Sequence, residues 1–190
     1  MRRITSSIYA DFYLNAALKL KLGFKVLNKK AAYAKIYNEQ KELLLTGCSL
    51  SVNTQVAARL TTNKEKTSTL LKANRIPIPE FQSFECKEDA ISYALSEINN
   101  GREIVVKPVS SSLARGVTVK PNTQIEVAEA VTEALSINDE IMVETFISGE
   151  NYRVTVFQNE IIAVTWRRPG YVIGNGFDTV KRLIEVKNET

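Results

Sequence analysis

Three β-branched residues in a row, Ile104-Val105-Val106, run straight into Lys107-Pro108. An apolar run this short, closed by a proline, reads as a buried strand. A second run, Ile141-Met142-Val143, ends in an acid, Glu144. Helical patterns surround both. Residues 87–98 put Ala90, Ile91, Ala94 and Ile98 on one side and stop at Asn100-Gly101, a C-terminal signal. Residues 125–135 repeat the spacing with Val127, Ala130, Val131 and Ala134. Buried strands mixed with helices and hairpins predict an α+β fold rather than a doubly wound parallel sheet.

Other segments fill in around these. Ile8, Phe12, Ala16 and Leu20 predict a helix over 7–22, ended by Gly23. AAYAKIYNEQKELLLTG predicts a hairpin turning at Asn38-Glu39-Gln40. Thr62 and Glu65 match a capping box, and Pro77 and Pro79 stop the helix that follows. FQSF and Val117-Thr118-Val119 read as short strands. Residues 152–156 and 161–166 form a hairpin around Gln158-Asn159-Glu160, and 179–186 reads as helical. The expected organisation is an N-terminal helix and hairpin over 1–61, a first lobe over 62–140, and the start of a second lobe over 141–190.

Composition removes several function classes. The chain has 190 residues, of which 44% are hydrophobic and 24% charged, enough for one core or two small lobes. It has no histidine. That excludes Ser-His-Asp hydrolysis, Cys-His proteolysis and His-ligated zinc. Its two cysteines, Cys48 and Cys86, are far apart and outside any CxxC pair, so a reducing cytoplasm is the simpler setting. No apolar run reaches the length of a membrane span, and the first residues lack the form of a signal peptide. The net charge is +4. Its basic residues are scattered apart from Lys19, Lys21, Lys25, Lys29 and Lys30, a set that a solvated face explains as well as a binding patch. The aromatics sit at core-like spacing, so nucleic acid is not the expected partner.

The chemistry-bearing segments follow the two buried strands. No GxxxxGK[ST] or GxGxxG motif is present, which argues against P-loop and dinucleotide sites. Lys107 instead leaves its strand into SSSLARG, where Ser110, Ser111 and Ser112 offer hydroxyls and N–H groups. Such a loop can fold over a polyphosphate beside Lys107 and Arg115; a surface loop with a snorkelling lysine also accounts for it. Glu144-Thr145-Phe146-Ile147 can present backbone groups to an adenine edge, or be a plain strand and turn.

Taken in order, TNKEKTSTLL, IPIP, IVVKPVSSSLARGV, IMVETFISGENYRVTVF and IIAVTWRRPGYVIGNGFDTVKRLIE resemble the ATP-grasp superfamily. The similarity is to its branch of cyanophycin synthetase, glutathione-forming ligases and D-alanine–D-alanine ligase, over about 50–188. The resemblance implies two α+β lobes around ATP. By position, Lys64 and Lys107 match phosphate-contacting lysines, and Ser110 to Gly116 the mobile phosphate loop. Glu144 matches the acid at the adenine amino group, and Thr145, Phe146 and Ile147 the adenine hinge. Asn151 matches the ribose-binding acid. Arg153 and Arg168 match arginines at the phosphate and substrate end. The implied activity joins a carboxylate to an amine through an acyl phosphate, with ATP and Mg2+.

Some positions depart from the family. Asn63, Asn151 and Asn175 stand where acids are usual, with Glu150 beside Asn151. The family's magnesium ligands lie beyond the point matching Asn188, so none is assigned in this chain. A truncated, inactive fragment or nucleotide-binding interaction module is the alternative expectation, as is a ligase completed by another chain. A homo-oligomer is also compatible, and the carboxylate and amine stay open.

Overall fold

The computed structural model describes residues 1–189. Its first helix, α1 (Ile8–Lys19), begins where the Ser7 hydroxyl accepts a hydrogen bond from the Ala10 N–H, satisfying a donor the first turn leaves open. The helix is shorter than expected and turns another face inward. Ala10, Asp11, Leu14 and Ala17 are buried, whereas Ile8, Phe12 and Leu20 of the expected stripe are exposed. Gly23 does not end it. Lys21 does, at φ 56°, with its N–H on the Leu18 carbonyl and that of Leu22 on the Ala17 carbonyl. This is the Schellman arrangement, which glycine commonly serves.

Gly23 instead opens β1 (Gly23–Asn28), a strand the sequence reading lacks. The Tyr37 ring crosses it, so a Cβ there would come within 2.5 Å of Tyr37 Cε2. β1 pairs antiparallel with β2 (Tyr33–Tyr37), and β2 with β3 (Glu42–Thr46), as the expected hairpin. β4 (Ser49–Leu50) completes this sheet. Leu14, Ala17, Ala34, Ile36 and Leu45 form a core between α1 and the sheet.

Two helices follow where one was expected. α2 (Gln55–Thr62) is capped by Thr54, and α3 (Lys64–Ala73) by the Asn63 side chain, which accepts from the Lys66 N–H. Thr62 is thus the last residue of α2 and not the cap of α3. Asn and Thr are both good caps. The presence of α2 decides between them, and α2 buries no residue that could have announced it.

The central sheet has the order β5-β8-β6-β7. Its strands are β5 (Phe81–Phe84), β6 (Ile104–Pro108), β7 (Thr118–Val119) and β8 (Ile141–Thr145), every pairing antiparallel. Helices α4 (Lys87–Asn99) and α5 (Gln124–Leu135) cover one face, and α5 opens with a full capping box of Thr123 and Glu126. The dry core holds Phe84, Ala90, Ala94, Ile104, Val106, Val127, Val131, Ile141 and Val143. Each fully buried Val or Ile contributes about 1.5–3 kcal/mol. Strand alternation then sends Val105, Lys107, Met142 and Glu144 to the opposite face.

The chain divides into two compact units, the first being Met1–Phe146 and the second beginning at Ile147. β8 lies in the first unit, where it pairs with β5 on one side and β6 on the other. The second unit contains the expected hairpin, β9 (Asn151–Phe157) and β10 (Glu160–Arg167), and helix α6 (Val180–Glu189). Gln158 and Asn159, at φ 48° and 68°, form a two-residue turn whose twist suits the strands. Among the described residues, no helix is long and apolar enough to cross a membrane.

Candidate functional site

The site is built on the sheet face opposite α4 and α5. Register places Val105 across from Glu144 and Lys107 across from Met142. Lys107 and Glu144 are therefore diagonal neighbours on one face, within reach of each other. They form an ion pair, both side chains largely buried. Two groups the sequence assigned to opposite ends of a ligand are thus directly joined.

Lys64 arrives from α3. Its N–H donates to the Val109 carbonyl at 3.0 Å. Its ammonium donates to the Pro108 carbonyl at 2.8 Å and to Ser111 Oγ at 3.0 Å. The first turn of α3 is thereby fastened to the end of β6 and the residues just after it. Burial, with the positive charge of Lys107 beside it, holds the Lys64 ammonium below the ordinary lysine pKa, and Glu144 pulls the other way. Lys64, Lys107, Ser111 and Glu144 form one electrostatically coupled group.

The loop after β6 supplies the other donors. Leu113 and Ala114 are left-handed, both at φ 57°, and the Leu113 side chain is 91% exposed. The Ser110 N–H donates to Asn138 Oδ1. The N–H groups of Ser111, Ser112, Leu113 and Ala114 have no hydrogen-bond partner among the described residues. Successive free N–H groups in such a turn form an anion-binding concavity. Gly116, expected as a ligand contact, lies underneath. It is buried at φ +66°, and a Cβ would meet Ile137 Cδ1 at 2.6 Å and Pro108 Cγ at 3.0 Å. It packs the base of the loop against α5.

The hinge backbone is partly engaged within the first unit. The Thr145 N–H donates to the Glu80 carbonyl and the Phe146 N–H to the Glu103 carbonyl, so neither is free for a ligand edge. The Ile147 N–H has no partner among the described residues. Lys120 lies over the Phe146 ring at 4.2 Å and pairs with Glu103 at 2.8 Å. Sequence reasoning missed Lys120, because only the pairing of β7 with β6 brings it beside the hinge.

Asn151, Arg153 and Arg168 lie in the second unit and are exposed. Asn151 begins β9 and faces Arg167, and Arg153 faces Thr165. Arg168 stacks over Trp166 at 4.9 Å and over Tyr171 at 4.2 Å, and donates to the Tyr171 hydroxyl.

Ammonium groups, hydroxyls and free N–H groups fit the oxygens of a phosphate chain. They do not fit a divalent cation, which takes carboxylate, carbonyl and water oxygens. Glu144, the carboxylate of the group, is engaged by Lys107.

The family model described as D-ala D-ala ligase C-terminus matches residues 70–175, a span containing Lys107, the serine loop and the hinge. The cyanophycin synthetase of a Nostoc species is 33% identical over 137 residues, covering 70% of this chain and 15% of that protein. The glutathione biosynthesis bifunctional protein of Streptococcus agalactiae is 27% identical over 188 residues, covering 97% of this chain and 25% of that protein. This chain thus spans a quarter or less of the length of these curated relatives. Among solved structures, the bifunctional glutathione synthetase of Pasteurella multocida aligns with a TM-score of 0.58 at 21% identity, over 97% of this chain and 25% of that one. D-alanyl-alanine synthetase A of Vibrio cholerae aligns at 0.54 and 13% identity, over 94% of this chain and 68% of that one. With more than half of it matched by the family model, the chain belongs to the D-ala D-ala ligase C-terminus family, within the ATP-grasp ligases.

Proposed function

We propose that the face of Lys107 and Glu144 receives the polyphosphate of ATP, in a protein that joins a carboxylate to an amine. One observation carries the reading: Lys64 and Lys107, from separate elements, gather beside a loop with a run of free N–H groups. That arrangement suits a chain of phosphates better than a single charge. Family membership supports the reaction class, and the relatives are named as synthetases of cyanophycin, glutathione and D-alanyl-alanine.

In the proposed reaction a carboxylate oxygen attacks the γ-phosphorus and the bond to the β-phosphate oxygen breaks. ADP leaves, and an acyl phosphate remains. The amine nitrogen then attacks the acyl carbon, phosphate departs and the amine loses a proton. No protein nucleophile is required. Lys64 and Lys107 offset charge on the transferring oxygens, and the N–H groups of Ser111 to Ala114 point donors at them. The protein's work is positioning and electrostatic stabilisation. Ser110 and Ser112 add hydroxyls. Glu144 has acceptor sites beyond those Lys107 uses, which suits it to an adenine amino group as well.

Thr145, Phe146 and Ile147 as hinge, Asn151 at the ribose, and Arg153 and Arg168 at the substrate end enter the proposal through the family resemblance.

Thermal melting tests the reading. A ligand at ~100 times its Kd adds about 2.7 kcal/mol of stability, worth several degrees. Mg-ATP is expected to raise the melting temperature of the wild type by that order. Lys107→Ala is expected to lose most of the increment, measured from its own baseline. A wild-type melting curve unchanged by saturating Mg-ATP overturns the proposal.

A further inference from the structure

A cavity of about 500 Å³ lies between the C-terminal end of α3, the linker that follows and α4. It shares no lining residue with the group around Lys64 and Lys107. The linker lends it an apolar side, made by Ile76, Pro77, Ile78, Pro79 and Phe81. The two prolines fix the linker backbone, so the wall is set before any ligand arrives. A cavity of about 300–1,000 Å³ is the usual size for a small organic molecule.

Three of the four polar side chains at this cavity, Lys72, Arg75 and Tyr93, are donors, and the fourth is Glu80. Lys72 and Arg75 line it, and neither has an ion-pair partner among the described residues. Half-buried Tyr93 lines it as well, and its hydroxyl has no hydrogen-bond partner among the described residues. Burial first, and then the negative charge of Glu97, pushes the Tyr93 hydroxyl up from its ordinary pKa, so it keeps its proton and donates. The acid at the rim, Glu80, lies 3.7 Å from Arg102, which offsets its charge. Arg75 is fixed at its root. It sits at φ 58°, its N–H on the Lys72 carbonyl and that of Ile76 on the Leu71 carbonyl, a Schellman turn.

We propose that this cavity binds a small organic anion: one carboxylate, sulfonate or phosphate held by Lys72, Arg75 and the Tyr93 hydroxyl, on an apolar body packed against Ile76 to Phe81. The site stands apart from the nucleotide reading, since the lining residues differ and no step of ligation enters the argument.

The test uses the whole chain, labelled for amide NMR, with 4-phenylbutyrate as probe and neutral 4-phenylbutyramide as control. A fragment of this size binds at about millimolar Kd. The carboxylate is expected to shift the resonances of Ile76, Ile78, Phe81 and Tyr93, with the amide about tenfold weaker or more, because a charge-assisted hydrogen bond is lost. The double variant Lys72→Gln, Arg75→Gly is expected to abolish that preference while keeping its melting temperature, since glycine suits φ 58°. Saturating ATP is expected to leave the probe in place. Shifts absent at these positions, equal binding of the amide, or an unchanged preference in the double variant each overturn the proposal. Displacement by ATP overturns its independence from the nucleotide face.

Discussion

The central sheet and the β9–β10 hairpin follow the same alternation and meet different fates. In the sheet, Ile104, Val106, Ile141 and Val143 are shut away under α4 and α5, and the residues between them form the charged face. In the hairpin, Tyr152 pairs with Trp166, Val154 with Val164 and Val156 with Ile161. All six are about half exposed or more. The polar face, with Arg153, Thr155 and Thr165, is exposed too. Identical patterning therefore does not produce identical energetics. Burial of one face is what lets the other hold a partly buried ion pair and a half-buried lysine in fixed positions. A two-stranded ribbon without cover is marginal by itself.

The sharpest way to break this contrast is truncation of matched side chains. Ile141→Ala, at a position with 0% exposure, is expected to cost about 2–5 kcal/mol. Ile161→Ala, at 66% exposure, should stay within about 0.5 kcal/mol. Urea unfolding of the two variants decides; equal costs would mean the hairpin is covered in solution.

Glycines give a smaller contrast. Gly116 and Gly176 both have positive φ, at +66° and +81°, but only Gly116 has atoms within 4 Å of an added Cβ. Gly176→Ala should cost about 1–2 kcal/mol for the left-handed backbone alone. Gly116→Ala should exceed it by roughly 1 kcal/mol for the overpacking against Ile137 and Pro108. Similar thermal destabilisation of the two would show that Ile137 yields freely.

The smallest expected effect is the pH dependence that Lys64 lends the first unit. Lys64 titrates below the ordinary 10.5 in the folded chain. Between its folded and unfolded pKa values the unfolded chain binds more protons, so stability rises with pH across that window. Lys64→Met should flatten that rise, read as the difference between wild-type and variant urea midpoints through the alkaline range below 10.5. Parallel curves would place the ammonium in water.

Much of this contrast was legible in the sequence. β6 and β8 announced themselves through unbroken β-branched or apolar runs, α4 through small residues at helical spacing with a Gly stop, and α5 through the same spacing. The hairpin was legible too, because its pattern and turn are local. What stayed hidden was the work done by residues on each other. β1 was missed because Gly23 looks like a helix stop until the Tyr37 ring is seen across it. The wrong face of α1 was chosen because Phe12 and Leu20 outweigh Ala10 and Ala17 in hydrophobicity, while packing against the sheet favours the small residues. In the site, the order of Lys64, Lys107 and Glu144 was readable. The Lys107–Glu144 pair and the place of Lys120 were not, because each depends on strand register, and neither was the burial of Gly116, which depends on packing against Ile137 and Pro108.

That register also orders events in time. Phe81 pairs with Glu144, and all of α4, β6, β7 and α5 lie between β5 and its partner. The hairpin can close locally within about 1–10 μs of its residues being free. β5 has no strand to pair with until the ribosome has released residues through β8. During synthesis the edge from Phe81 to Phe84 therefore waits open longest, and the charged face is completed only when the last strand slides between β5 and β6.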